Sequence, residues 1–99
     1  MRRLLLSAAA RRDLRSIVVY TREVWGTSQA ERYRRMLEDA FERLRSDEHP
    51  GCSRPDLGAG RSSLRAGRHV VVFRIDGGVV RIVRVLHVSM VPRRHLGGD

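Results

Sequence analysis

His69-Val70-Val71-Val72-Phe73-Arg74-Ile75-Asp76-Gly77-Gly78-Val79-Val80-Arg81-Ile82-Val83-Arg84-Val85-Leu86-His87-Val88 is the stretch on which the fold turns. Two runs rich in β-branched residues flank Asp76-Gly77-Gly78, a turn composition that supplies the positive-φ positions a tight hairpin needs. His69–Ile75 reads as a strand with Val71, Phe73 and Ile75 on one face. Val79–Val88 reads as the longest strand, apolar on both faces and therefore central. Immediately before them, Arg61–Arg65 is a short strand ending at Ala66-Gly67. Ser89–Asp99 forms a tail with Pro92 and two arginines.

Further upstream the period changes. Ser46–Gly60 carries two prolines, three glycines and Cys52, and reads as a loop. Ala30, Tyr33, Leu37, Ala40, Phe41 and Leu44 recur at helical spacing and predict a helix from about Thr27 to Arg45. Ser28 and Glu31 have the spacing of a capping box. Glu31–Arg35 and Arg34–Glu38 sit one turn apart as ion pairs. Ahead of Gly26, the stripe Ala10, Leu14, Ile17, Thr21 and Val24 predicts a first helix over Ala8–Trp25, with Ser7 as its N-cap. Trp25 reads as a packing anchor where the helices meet. Met1–Leu6 is too short for a signal peptide and reads as a first strand. The resulting order is β-α-α-β-β-β. This is an α+β domain in which an antiparallel helix hairpin packs on one face of a mostly antiparallel four-stranded sheet.

Composition bounds the function. Ninety-nine residues make one domain. Twenty basic side chains against 11 acidic ones give +9, and point to an anionic partner. All the basic residues are arginine, so lysine nucleophiles, Schiff bases and P-loop phosphate ligands are excluded. Residues 1–60 carry 12 arginines against 9 acids, and residues 61–99 carry 8 against 2, so the sheet half is the basic one. Arg65, Arg68, Arg74, Arg81 and Arg84 are placed to share a sheet face. One cysteine excludes an internal disulfide. His49, His69, His87 and His95 match no zinc spacing, so no metal or other cofactor is expected. No apolar run reaches the length of a membrane span, and a cytoplasmic protein is expected.

Several of these pieces carry a family resemblance. Leu6-Ser7-x-x-Ala10, Asp13-Leu14-x-x-Ile17, Tyr20 and Trp25-Gly26-x-x-Gln29-Ala30-x-x-Tyr33 resemble the ParE branch of the RelE/ParE toxins. So do Gly67-x-His69-Val70-Val71 and Arg84-Val85-Leu86-His87-x-x-Met90-x-x-x-Arg94-His95-Leu96. The resemblance spans the chain in order. One departure is Val91, where many members carry an acidic residue. It implies a bacterial toxin of a type II toxin–antitoxin system that inhibits DNA gyrase. It also implies a ParD-like antitoxin, in a heterotetramer, through which alone operator DNA is bound.

On this reading the antitoxin segment crosses the helix hairpin toward the later strands. It meets Tyr20, Trp25, Tyr33, Arg65, Phe73, Arg74 and Arg84. Met90, Arg93, Arg94, His95 and Leu96 face the target, and no residue is catalytic. The alternative on the same fold is a RelE-like ribosome-dependent mRNA endoribonuclease. There Arg65, Arg68, Arg84, His87 and His95 would supply acid–base groups and phosphate-stabilising cations. A toxin that acts mainly as a binding partner is a third reading.

Overall fold

A computed structural model describes residues 2–46 and 51–92. The elements follow the chain as β1 (Arg3–Leu6), α1 (Ala8–Trp25), α2 (Thr27–Arg45), β2 (Cys52–Ser53), β3 (Ser62–Ala66), β4 (His69–Asp76) and β5 (Val79–His87). Short 3-10 turns cover Pro55–Leu57 and Val88–Met90. The strands form one sheet in the order β1-β5-β4-β3-β2. β1 pairs in parallel with β5, and every other pairing is antiparallel.

The sheet therefore has five strands, not four. The additional one, β2, lies in what reads as a loop and pairs Cys52 with Ser63 and Ser53 with Ser62. Two residues are too few to show a period. The centre of the sheet is β4, whose Val70–Phe73 run is buried throughout. β5 lies beside it, between β4 and β1. Val72 pairs with Arg84 but Phe73 with Ile82, so the extra residue Val83 makes a bulge in β5.

Both helices pack on one face. Ala10, Ile17, Leu37, Ala40, Phe41 and Leu44 meet Leu64, Ala66, Val71, Phe73, Val80, Ile82 and Val85 in one core. Leu37, Leu44, Phe73 and Ile82 are wholly buried. Phe73 thus belongs to the interior and is withdrawn from the antitoxin-facing set. A fully buried ring anchors the sheet to the helices and presents nothing to a partner. On the opposite sheet face Val70 and Val72 are also buried. Arg54, Val88, Val91 and Pro92 gather around Val70 there. Arg54 is held by a bidentate pair with Asp56 at 2.8 and 2.7 Å and donates to the Pro92 carbonyl at 2.9 Å.

The N-cap of α1 is Ser7, whose Oγ accepts from the Ala10 amide at 2.9 Å and donates to the Val83 carbonyl at 2.7 Å. One residue therefore starts the helix and ties it to the bulged strand. The second helix starts differently from the capping-box expectation. Gly26, at φ 95° and ψ 167°, is the one residue between the helices, and α2 begins at Thr27 with no side-chain cap. Ser28 already lies inside the first turn, so its hydroxyl cannot cap. Glu31 instead pairs with Arg34 and, at 3.6 Å, with Arg35. Arg34 also reaches Glu38 at 2.7 Å. A linker of one residue in a glycine-only conformation leaves no room for a separate capping residue.

Candidate functional site

At the hairpin end of the helices, α1, α2, β4 and β5 enclose an open cleft of about 520 Å³. Helical spacing on α1 brings Ile17, Tyr20 and Thr21 to its wall, and Trp25 and Gln29 stand where the helices join. Tyr20 is 63% exposed and Trp25 67%, and Val24 beside them is half exposed. Val24 and Trp25 were expected to be internal, as a stripe residue and a packing anchor. They lie instead at the last turn of α1, which the sheet no longer covers. Thr21 is buried, and its hydroxyl donates to the Ile17 carbonyl at 2.7 Å, so the cleft wall keeps its polar group satisfied.

The floor is polar. The Tyr33 hydroxyl from α2 lies 2.5 Å from His69 Nδ1 and accepts from the Arg68 amide at 2.9 Å. The Tyr33 hydroxyl can either donate to His69 Nδ1 or accept from it, according to the imidazole tautomer, while it accepts from the Arg68 amide. His87 stands directly opposite His69 in the β4–β5 register. The two rings meet edge to face with centroids 5.4 Å apart. His87 Nδ1 lies 2.8 Å from Ser89 Oγ and accepts from the Ser89 amide at 3.1 Å. Burial, reinforced by the neighbouring His87, holds the His69 pKa below its ordinary value, with Asp13 opposing weakly. His69 is therefore neutral at pH 7.

Gly67 shapes this floor. It sits at φ 60° in the β3–β4 turn, and a Cβ there would come within 2.9 Å of the Tyr33 hydroxyl and 2.8 Å of Met36 Cε. Glycine suits this turn, because φ 60° is strained for other residues and a Cβ would press on the Tyr33 hydroxyl that receives the Arg68 amide.

The sequence-derived site divides on folding. Tyr20, Trp25 and Tyr33 share the cleft, together with Arg68, His69 and His87. Arg65 lies on the opposite sheet face, among Arg54, Ser63 and Val70, and donates to the Gly67 carbonyl at 3.0 Å. Arg74 and Arg81 are cross-strand partners at the far end of the hairpin, and both reach Asp76. Arg84 is turned to α1, where it grips Asp13 at 2.7 and 2.9 Å. The five strand arginines therefore make no common patch. The ribonuclease set is likewise not gathered, because Arg65 and His87 belong to different cavities. Met90 is 59% exposed in the turn after β5. Arg93, Arg94, His95 and Leu96 lie outside the described residues, as does His49.

Sequence reasoning missed His69 and Arg68 as part of the tyrosine cleft. The hairpin turn alone would set His69 opposite Leu86, and the one-residue bulge at Val83 brings His87 into register, so the sequence carried no direct signal of the pair. Among the described residues no three metal-ligating groups converge, and no helix is long and apolar enough to cross a membrane.

Comparison with known proteins accounts for this architecture. Residues 4–92 match the model of the family described as ParE toxin of type II toxin–antitoxin system, parDE. Toxin ParE1 of Caulobacter vibrioides is 45% identical, over 93% of this chain and 95% of the relative. Toxin ParE1 of Mycobacterium tuberculosis is 38% identical, over 95% and 97% respectively. Among solved structures, the chromosomal ParDE system from P. aeruginosa superposes with a TM-score of 0.76 at 21% identity, covering 88% of this chain and 96% of that one. The fold is also shared with the RelBE2 toxin–antitoxin complex of M. tuberculosis, at a TM-score of 0.60 and 27% identity over 87% of this chain and 96% of that one. The chain belongs to the ParE toxin family of type II toxin–antitoxin systems.

Proposed function

We propose that this toxin inhibits DNA gyrase without itself being an enzyme, and that a ParD-like antitoxin neutralises it by filling the Tyr20–Trp25–Tyr33 cleft. The observation that carries the antitoxin half is the exposure of two large aromatic rings beside an open, mostly apolar cleft on a +9 protein. Such a surface suits an amphipathic, acidic segment: its apolar residues seat against the rings and its carboxylates face Arg68. Arg65, Arg74 and Arg84 lie outside the cleft, so they act on encounter rate rather than on the seated contact. The antitoxin joins two toxins in a heterotetramer and supplies the operator-binding surface. Membership of the ParE toxin family supports gyrase as a cytoplasmic target, with exposed Met90 and the tail Arg93, Arg94, His95 and Leu96 as the target-facing segment.

The experiment is a pair of assays on purified toxin. Inhibition of gyrase supercoiling, relieved by equimolar antitoxin, with translated messages left intact, is the expected result. Ribosome-dependent message cleavage that falls when His87 or His95 is replaced by alanine, with supercoiling unaffected, would instead establish the ribonuclease reading.

A further inference from the structure

We infer that His69 and His87 form a two-imidazole binding site for a divalent transition metal of the Ni²⁺, Cu²⁺ and Zn²⁺ class on the floor of the cleft. The strands place the two residues directly opposite one another on adjacent strands. Their ring centroids are 5.4 Å apart, close enough for two ring nitrogens to share one ion after a side-chain adjustment. Each ring is held through Nδ1, His69 by the Tyr33 hydroxyl and His87 by Ser89. Neither Nε2 has a hydrogen-bond partner among the described residues, and both residues line the same open cleft. The two nitrogens left over are therefore the ones a metal would take.

The partners on Nδ1 suit this role chemically. A neutral imidazole that binds metal through Nε2 must carry its proton on Nδ1, and needs an acceptor there. Hydroxyl groups donate or accept equally well. Tyr33 Oη can accept from His69 Nδ1 while still accepting the Arg68 amide. Ser89 Oγ can do the same for His87 at 2.8 Å, releasing the Ser89 amide to water at this exposed position. With the proton on Nδ1, each Nε2 offers its lone pair to the ion. Two protein ligands leave the remaining positions to water, which favours late first-row ions that prefer imidazole over calcium or magnesium.

Trp25 lines the same cleft and is the chain's one tryptophan, so it reports occupancy directly. Tag-free toxin titrated with Ni²⁺ should show saturable quenching of tryptophan emission with one ion per chain. His69→Gln and His87→Gln should each weaken that binding roughly tenfold or more, while Cys52→Ser leaves it unchanged. A control that needs no variant is paramagnetic broadening in the parent protein. The imidazole signals of His69 and His87 should broaden first as Ni²⁺ is added. Quenching unchanged in both glutamine variants, or earlier broadening at His49 or His95, would overturn the inference.

Discussion

Replacing Asp13 with alanine should open the uncovered edge of β5 and destabilise the toxin by about 2–3 kcal/mol, mostly through one backbone amide. β1 pairs with β5 only as far as Ile82, which leaves the last part of that strand without a neighbour on its outer side. There the Asp13 carboxylate on α1 accepts the Val85 amide at 2.9 Å and the Arg84 guanidinium at 2.7 and 2.9 Å. The ion pair itself is modest, about 0–1 kcal/mol, because Arg84 is 44% exposed and solvent screens it. The amide bond to a carboxylate is worth more, about 1.5–3 kcal/mol, and its loss leaves a part-buried donor unpaired. For a domain this size each kcal/mol lowers Tm by about 4–8 °C. Arg84→Ala should therefore cost under about 1 kcal/mol, and Asp13→Asn, which keeps an acceptor for Val85, should fall between. Acid provides a second handle. Burial alone would raise the Asp13 pKa, but the bonds from Arg84 and the Val85 amide, with the charges of Arg84 and Arg12, outweigh it and leave it below 3.8. The folded state then holds the proton less tightly than the unfolded chain. The stabilisation is complete above the ordinary value and is lost as pH falls through and below it. Urea melts of parent and variants at pH 7 and at pH 3 measure both effects. Equal losses for Asp13→Ala and Arg84→Ala at pH 7 would refute the assignment of the energy to the strand edge.

Further outcomes follow from the same geometry. Gly26→Ala should cost about 1–3 kcal/mol in denaturant melts although a Cβ there meets nothing within 4 Å, since the cost is the backbone conformation alone; a neutral substitution would mean the linker can relax. Trp25→Ala should leave stability within about 0.5 kcal/mol of the parent yet lower antitoxin affinity by about 2 kcal/mol, roughly thirtyfold; calorimetric titration showing unchanged affinity would move the antitoxin elsewhere. His69 should titrate by NMR below the ordinary 6.5, with stability lost as pH falls from that value through the folded pKa, because the unfolded chain binds the proton first. Tyr33→Phe removes the hydroxyl shared by His69 and the Arg68 amide, and about 1 kcal/mol of stability should go with it in thermal melts.

The local elements were legible because each is written in a short-range signal. Ser7 caps α1 through a bond three residues away, the α2 stripe from Ala30 to Leu44 is buried as its spacing requires, and Asp76-Gly77-Gly78 makes its turn. Apolar period, caps and turns are properties of neighbouring residues, so a single sequence exposes them. Charge also was fixed at that level, down to the absence of lysine. The family resemblance rested on the same ordered pieces.

What the sequence left undetermined depends on residues far apart in the chain. A two-residue edge strand has no period, and β2 exists only because β3 offers it a partner. The exposure of Val24 and Trp25 depends on where the sheet stops beneath α1, not on their place in a helical stripe. Five arginines on neighbouring strands looked like one patch, but the bulge at Val83 and the carboxylates of Asp13 and Asp76 divide them. The cleft itself is a tertiary product: Gly67 lets the Arg68 amide reach Tyr33, and strand register sets His69 against His87. Sequence determines which segments curl and which extend. Packing and register decide which side chains meet, because those contacts are chosen by the whole core at once.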